Sequence, residues 1–207
     1  MSTRHAKSAG KEAKDWNARG ISLKALGRYQ GAIKCYDQAI TLDVQYAVAW
    51  YNKGNALRDF GKPEEALICY DRAIEIEEIA VVWHNKGHIL EHPFQKYPEA
   101  IACYDRAIVI NPLLAEAWEN KGILLCDRGA YVDALTCFNR TIEIDLKHAS
   151  GWNQKGRTLY ELGRYEEAIA CCDRVLEIDP KHIYARRNKK IAMRALGKVV
   201  SGISGKN

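Results

Sequence analysis

The sequence predicts an all-α protein made of tandem helical hairpins, and three observations predict it. Tryptophan recurs every 33 to 35 residues, with glycine four positions and leucine seven positions after it. An amphipathic segment with regularly spaced small residues follows each triplet, and in four of five cases a glycine lies between the two. Residues at i, i+4 and i+7 share one face of a helix, so each repeat is predicted to be two helices joined by a short turn.

The first helix of each repeat carries the triplet. Its members are Trp16/Gly20/Leu23, Trp50/Gly54/Leu57, Trp83/Gly87/Leu90, Trp118/Gly122/Leu125 and Trp152/Gly156/Leu159. Glycine inside a helix costs about 1 kcal/mol relative to alanine. We therefore expect another helix to approach closely at this position.

The second helix supplies that neighbour through alternating small and large residues. The small residues are Ala32, Ala66, Ala100, Ala134 and Ala168, and four positions later come Tyr36, Tyr70, Tyr104, Phe138 and, in the fifth repeat, Cys172. The turn glycines are Gly27, Gly61, Gly129 and Gly163, at positions that favour left-handed geometry. The third repeat has one extra residue in its turn and no glycine there.

This pattern closely resembles the tetratricopeptide repeat (TPR), a 34-residue helical hairpin. The resemblance implies a right-handed superhelical solenoid of five TPR units with a C-terminal capping helix. The expected segments are a polar N-terminal segment 1–12, units 13–46, 47–79, 80–114, 115–148 and 149–182, a capping helix 183–197 and a flexible tail 198–207.

Composition narrows the class of protein. The chain is 47% hydrophobic and 28% charged, which is typical of a folded protein. Its N-terminus has no apolar segment and no stretch is long enough to span a membrane, so the expected location is the cytoplasm. Five of the seven cysteines recur every 34 residues, at 35, 69, 103, 137 and 171. In a reducing compartment they are expected to be small buried hydrophobes rather than disulfides.

The resemblance also implies that the first helices line a concave groove, where an amide recurs at one position of the repeat. These amides are Asn52, Asn85, Asn120, Gln154 and Asn188. A carboxamide offers two donors and an acceptor, so a ladder of them could hold the main chain of an extended peptide. The alternative is that these amides form hydrogen bonds between the protein's own helices. Other groove residues expected to select a peptide are Tyr51, Asn55, Arg58, His84, His88, Glu119, Arg157, Tyr160 and Arg187.

Other chemistry has less support in the sequence. His84, His88 and His92 follow at i, i+4 and i+8, but nothing is spaced to complete a zinc site, so no metal or cofactor is predicted. The chain lacks the nucleophile, phosphate-loop and zinc-protease motifs, so no catalytic residue is predicted and the chain is not expected to be an enzyme. The carboxylate clamp of chaperone-binding TPR domains is also absent, because its lysine and arginine positions are not basic here.

The predicted function is therefore a scaffold that binds a segment of another protein in the groove. The alternative is self-association through the repeat ends to form a homodimer. Binding of nucleic acid by the basic cap, which includes Arg186, Arg187, Lys189 and Lys190, is disfavoured because the rest of the chain is mildly acidic.

Overall fold

The fold consists of helices alone throughout the part of the chain that the structure describes. The computed structural model describes residues 2–204, with the side chains of 9–199 and 201. The helices are α1 (Ser2–Ala25), α2 (Tyr29–Leu42), α3 (Ala47–Asp59), α4 (Pro63–Ile76), α5 (Ala80–Glu91), α6 (Tyr97–Ile110), α7 (Ala115–Asp127), α8 (Tyr131–Ile144), α9 (Ala149–Glu161), α10 (Tyr165–Ile178) and α11 (Ile183–Ser204). The predicted all-α class is confirmed.

The chain divides into two compact units, residues 1–111 and 112–207. In the first unit, α1–α2, α3–α4 and α5–α6 form hairpins, and consecutive hairpins pack through α2 on α3 and α4 on α5. In the second unit, α7–α8 and α9–α10 form hairpins, α8 packs on α9, and α11 lies against α10 and α9. The first unit therefore contains three repeats, and the second unit contains two repeats and the capping helix.

The close approach predicted at the first-helix glycine is confirmed in four repeats. A Cβ atom added to Gly20, Gly54, Gly87 or Gly122 would lie 2.5 to 2.8 Å from a carbon of an aromatic ring. Those rings belong to Tyr36, Tyr70, Tyr104 and Phe138, and each is 0% exposed. The glycine therefore makes room for the ring, and burial of the ring offsets the weak helix propensity of glycine.

The turns inside the hairpins follow the sequence except in the third repeat. Glycine adopts φ between 69° and 79° at positions 27, 61, 129 and 163. In the third repeat Gln95 takes this role with φ of 55°, and the extra residue is absorbed because the amide of Lys96 still bonds to the carbonyl of Leu90 at 2.8 Å. The corresponding bond in the first repeat, from Arg28 to Leu23, is 2.9 Å.

The linkers between hairpins position the tryptophans. The indole Nε1 atoms of Trp50, Trp118 and Trp152 each donate to the carbonyl six residues earlier, at 3.0 to 3.1 Å. The linker between α4 and α5 is one residue shorter than these, and the buried Nε1 of Trp83 has no hydrogen-bond partner among the described residues. A change of one residue in linker length thus removes one acceptor.

The two ends of the chain differ from the sequence prediction. Helix α1 begins at Ser2, so residues 2–12, expected as a separate polar segment, continue directly into the first repeat. Helix α11 extends to Ser204, whereas we expected the cap to end at 197 with a flexible tail behind it. The glycine at 197 weakens the helix by about 1 kcal/mol without ending it. The end of the expected tail, 205–207, lies outside the described residues.

All seven cysteines are buried, which confirms their predicted packing role. Burial raises the pKa of the Cys69, Cys103 and Cys171 thiols to about 11, so they stay protonated at neutral pH. Within residues 2–204, no helix has the length and apolar character needed to cross a membrane.

Candidate peptide-binding faces

Each unit has a face formed by the outward sides of its first helices, and the predicted site residues divide equally between the two. The first-unit face, on α1, α3 and α5, includes Tyr51, Asn52, Asn55, Arg58, His84, Asn85 and His88. The second-unit face, on α7, α9 and α11, includes Glu119, Asn120, Gln154, Arg157, Tyr160, Arg187 and Asn188. None of these fourteen side chains is buried, as a binding role requires.

On the first-unit face, the repeated amides connect one repeat to the next. Asn52 Nδ2 donates to Asn17 Oδ1 at 2.9 Å. Asn85 Nδ2 donates to Tyr51 Oη at 3.2 Å and to Asn55 Oδ1 at 3.0 Å. The open alternative, hydrogen bonding between the protein's own helices, therefore describes these two amides. Asn17, only 6% exposed, is a member of the network that sequence reasoning missed.

On the second-unit face, one of the repeated amides bonds to a neighbouring repeat and another does not. Asn188 Nδ2 donates to Asn153 Oδ1 at 3.2 Å, which links the cap to the fifth repeat in the same way. The side-chain amide of Gln154 has no hydrogen bond to any residue in the described part of the chain. Gln154 therefore keeps the donors and acceptor that the predicted ladder requires.

The aromatic rings beneath the first-unit face are joined to it through their hydroxyl groups. Tyr70 donates to Asn55 Oδ1 at 2.7 Å, and Tyr104 donates to the buried Glu91 carboxylate at 2.6 Å. The hydroxyl of Tyr36 is buried and has no hydrogen-bond partner in the part of the chain that the structure describes, because Ile21 occupies the position of Asn55 in the first repeat. Burial, with a smaller effect of Cys35, raises the pKa of Tyr36 to about 12. The fourth repeat, with an isoleucine at this position, has Phe138 in place of tyrosine.

Charge on the first-unit face centres on Asp59. Its carboxylate lies 2.8 Å from Lys24 Nζ and 2.9 Å from the Arg58 guanidinium. Burial alone would raise the pKa of Asp59, but hydrogen bonds and attraction from Lys24 and Arg58 outweigh it and lower that pKa. Because Lys24 belongs to the first repeat, this ion pair also joins two repeats.

The two histidines of the first-unit face differ in exposure, because His84 is half-buried and His88 is exposed. The His84 ring lies 5.8 Å from the Tyr104 ring, and its Nδ1 is 3.2 Å from Asn85 Oδ1. Burial lowers the pKa of His88, more than Glu91 raises it. Among the side chains that the structure describes, no three His, Cys, Asp or Glu residues are grouped so that they could hold a metal ion.

The second-unit face contains a pocket of about 220 Å³ between α9, α10 and α11. Its floor consists of Ala168, Cys172 and Ala192, each 1% exposed. Its rim consists of Gly156, Arg157, Tyr160, Glu161, Asn188 and Ile191. Arg157, Tyr160 and Asn188 are predicted site residues that the fold brings together here. The pocket itself was not predicted, although Cys172 in the ring position was its visible signal.

Family models now define the class of protein. Three models, described as tetratricopeptide repeat or TPR repeat, match residues 47–78 and 149–182, residues 20–58, and residues 94–146. These matches, with the hairpin packing and the glycine–ring contacts, show that the chain belongs to the tetratricopeptide repeat family. No curated protein matches the chain in sequence.

Solved structures with the same fold include other TPR proteins. YrrB, described as a TPR protein with an unusual peptide-binding site, is 26% identical over 92% of this chain and 98% of that chain, with a TM-score of 0.71. PilF of Pseudomonas aeruginosa is 17% identical over 94% of this chain and 95% of that chain, with a TM-score of 0.75. The first TPR of Spaghetti (RPAP3), solved with the HSP90 peptide SRMEEVD, is 24% identical over 57% of this chain and 93% of that chain, with a TM-score of 0.55. The last two similarities concern the fold alone.

Proposed function

We propose that this chain is a non-enzymatic interaction module that binds a peptide segment of a partner protein on its first-helix faces. The observation that carries the proposal is the second-unit face as a whole, where the polar side chains of Gln154 and Arg187 lie near a pocket with an apolar floor and a polar rim, within a family of interaction domains. This combination is typical of sites that take a side chain and fix its orientation. The peptide-binding site of YrrB supports the same interpretation.

The hydrogen bonds on the two faces indicate how such a peptide would be held. Asn85 already uses both amide hydrogens within the chain, so on the first-unit face it contributes a rigid surface rather than a free donor. On the second-unit face, Gln154 and Arg187 are available to the peptide. A peptide main chain can bond to carboxamide and guanidinium groups that are not already bonded within the chain. We therefore place recognition mainly on the second-unit face.

Display selection followed by matched substitutions tests this proposal. Twelve-residue peptides selected from a random display library on the immobilised chain would be measured by fluorescence polarisation. Gln154→Ala combined with Arg187→Ala should weaken the selected peptides about tenfold or more, because it removes an amide and a charge from the face. Arg174→Ala is the control, because Arg174 lies on a second helix and pairs with Glu177, and it should leave affinity within about twofold.

Two outcomes would contradict the proposal. In one, no peptide is enriched above an unrelated helical protein. In the other, the selected peptides bind the double variant as well as the natural chain but lose affinity with Arg174→Ala. Asn85→Ala is less suitable as a probe, because it removes hydrogen bonds between repeats and so changes stability as well as any contact with a peptide.

Self-association is the second candidate function, and the exposed apolar residues of α11 favour it. Ile183, Tyr184 and Met193 are 75%, 67% and 55% exposed. Light scattering separates the two candidates. A dimer that forms at micromolar concentration and dissociates with Met193→Lys would support self-association through the cap. Seven buried cysteines suit a reducing compartment such as the cytoplasm, and we include that location in the proposal.

A further inference from the structure

The pocket on the second-unit face exists because the fifth repeat lacks its aromatic ring. At Gly122, the equivalent glycine of the fourth repeat, an added Cβ would lie 2.7 Å from the Phe138 ring. At Gly156 the residue in the ring position is Cys172, and its Sγ atom lies 3.7 Å from the same point. The fifth repeat thus keeps the glycine that makes room for a ring and has no ring to use it.

The size and lining of the pocket match the missing ring. Its volume of about 220 Å³ is below the roughly 300 Å³ at which small-molecule pockets begin, so it suits a single side chain. Four repeats fill the equivalent site with Tyr36, Tyr70, Tyr104 or Phe138, each 0% exposed. The fold therefore already accepts an aromatic side chain at this position in the repeat.

The charged side chains at and near the rim favour certain residues next to that aromatic side chain in a bound peptide. Arg157 lines the pocket and pairs with Asp127 at 2.9 Å, and its guanidinium can lie against an aromatic ring. Arg187, Lys190 and Arg194 are exposed on α11, and their spacing places them on the helix face that carries Ile191. From Lys181 to the end of the sequence there are eight Lys or Arg residues and no acid.

We propose that this pocket binds an aromatic side chain of a partner peptide that has acidic residues beside the aromatic one. The inserted ring occupies the place that Phe138 fills in the fourth repeat, and the acidic neighbours meet the arginines of α11. Burial of an aromatic anchor in a pocket is a common source of most of the binding energy at an interface. This inference rests on the proposed function, because it names the class of peptide that the second-unit face selects.

Cys172 takes part through its size and not through reactivity. Burial, with a smaller effect of Asp173, raises the pKa of its thiol to about 11, so it is protonated at neutral pH. Cys172→Phe would place a ring in the pocket from inside the protein and exclude the peptide. Cys172→Ser changes the atom but leaves the pocket open, which makes it the matched control.

The direct test titrates the full chain with blocked tripeptides and follows amide chemical shifts by NMR. Glu-Phe-Glu should shift the amides of Gly156 and Ile191, and Glu-Ala-Glu and Lys-Phe-Lys should each bind at least tenfold more weakly. With Cys172→Phe the Glu-Phe-Glu affinity should fall at least tenfold, and with Cys172→Ser it should stay within threefold. Ile191→Asp is a second variant on the exposed rim and should weaken binding at least fivefold.

Three results would overturn the inference. Equal binding of the phenylalanine and alanine tripeptides would show that an aromatic side chain is not required for binding. Unchanged Glu-Phe-Glu affinity in a folded Cys172→Phe chain would place binding elsewhere. A dimer of the natural chain that Cys172→Phe dissociates would make a second copy the occupant. If display-selected peptides still bind the second-unit face but ignore Cys172→Phe, this inference fails and the proposed function stands.

Discussion

The fourth and fifth repeats lie in the same unit and share their helical register, yet they differ at one packing position. In the fourth repeat Phe138 covers Gly122 and is fully buried. In the fifth, Cys172 leaves Gly156 beside a pocket of about 220 Å³. The comparison teaches that one second-helix side chain decides whether the space beside the first helix is filled core or an open pocket.

The largest expected effect comes from removing the buried ring of the fourth repeat, so that its packing resembles that of the fifth. Phe138→Ala should reduce the free energy of unfolding by about 3–5 kcal/mol, because it removes a buried ring and leaves a cavity. Cys172→Ala should cost about 1 kcal/mol, because the pocket beside it is already empty. Urea unfolding followed by circular dichroism measures both. Similar losses for the two variants would break the comparison.

The glycines give a smaller effect of the same kind. Gly122→Ala should destabilise by about 1–3 kcal/mol, since its Cβ would meet the Phe138 ring. Gly156→Ala should stay within about 1 kcal/mol of the natural chain, because the gain in helix propensity offsets moderate crowding. The contact with the second helix is otherwise matched, at 3.0 Å to Cys137 Cβ and 3.1 Å to Cys171 Cβ. Equal destabilisation would show that the backbone, and not the ring, demands glycine.

The tyrosine hydroxyls sharpen the comparison in the first unit. Tyr70→Phe should cost about 1 kcal/mol, because it removes the hydrogen bond to Asn55. Tyr36→Phe should be neutral or stabilising, because its buried hydroxyl bonds to no other described residue. The difference in urea midpoint between the two variants is the measurement. A larger loss for Tyr36→Phe than for Tyr70→Phe would contradict the explanation based on Ile21 and Asn55.

The smallest expected effect concerns charge and pH. The folded-state pKa of Asp59 is lowered below its ordinary 3.8, so its ion pairs stabilise the fold above that pH. This stability is lost as the pH falls through the lowered pKa. Asp59→Asn should therefore cost less than about 1 kcal/mol at pH 7, and its deficit should shrink when thermal unfolding is repeated below pH 3.8. Asp127→Asn is the control, because both Asp127 and its partner Arg157 are about half exposed.

The sequence was sufficient to predict the hairpins because their determinants are local and repeated. The spacing of Trp118, Gly122 and Leu125 fixes one helical face, and the small residue at Ala134 marks the helix that packs on it. The helix ends were predicted less well. Helix α1 extends from the first repeat back to Ser2, and α11 continues past residue 197. Neither extension was predicted, because a polar helix that continues from a packed repeat needs no further apolar signal.

The site was less predictable because its groups have more than one partner available. The residue type of Asn85 is equally suited to a peptide and to Tyr51 of the preceding repeat, and only the distances show which bonds the chain itself makes. The pocket had a sequence signal in the pair Gly156 and Cys172. The glycine is retained there, but the aromatic residue that packs on it in the other repeats is replaced by cysteine. Reading that pair as a cavity required the position of α11, which closes one side of the space.

The retained glycine beside Cys172 has a consequence for protein engineering and for molecular evolution. A tandem array can acquire an open pocket by losing a bulky residue from one copy, with no new loop or insertion. Consensus redesign, which replaces unusual residues by the most common one at each repeat position, would restore a ring here. It would yield a more heat-resistant protein in which that pocket is erased.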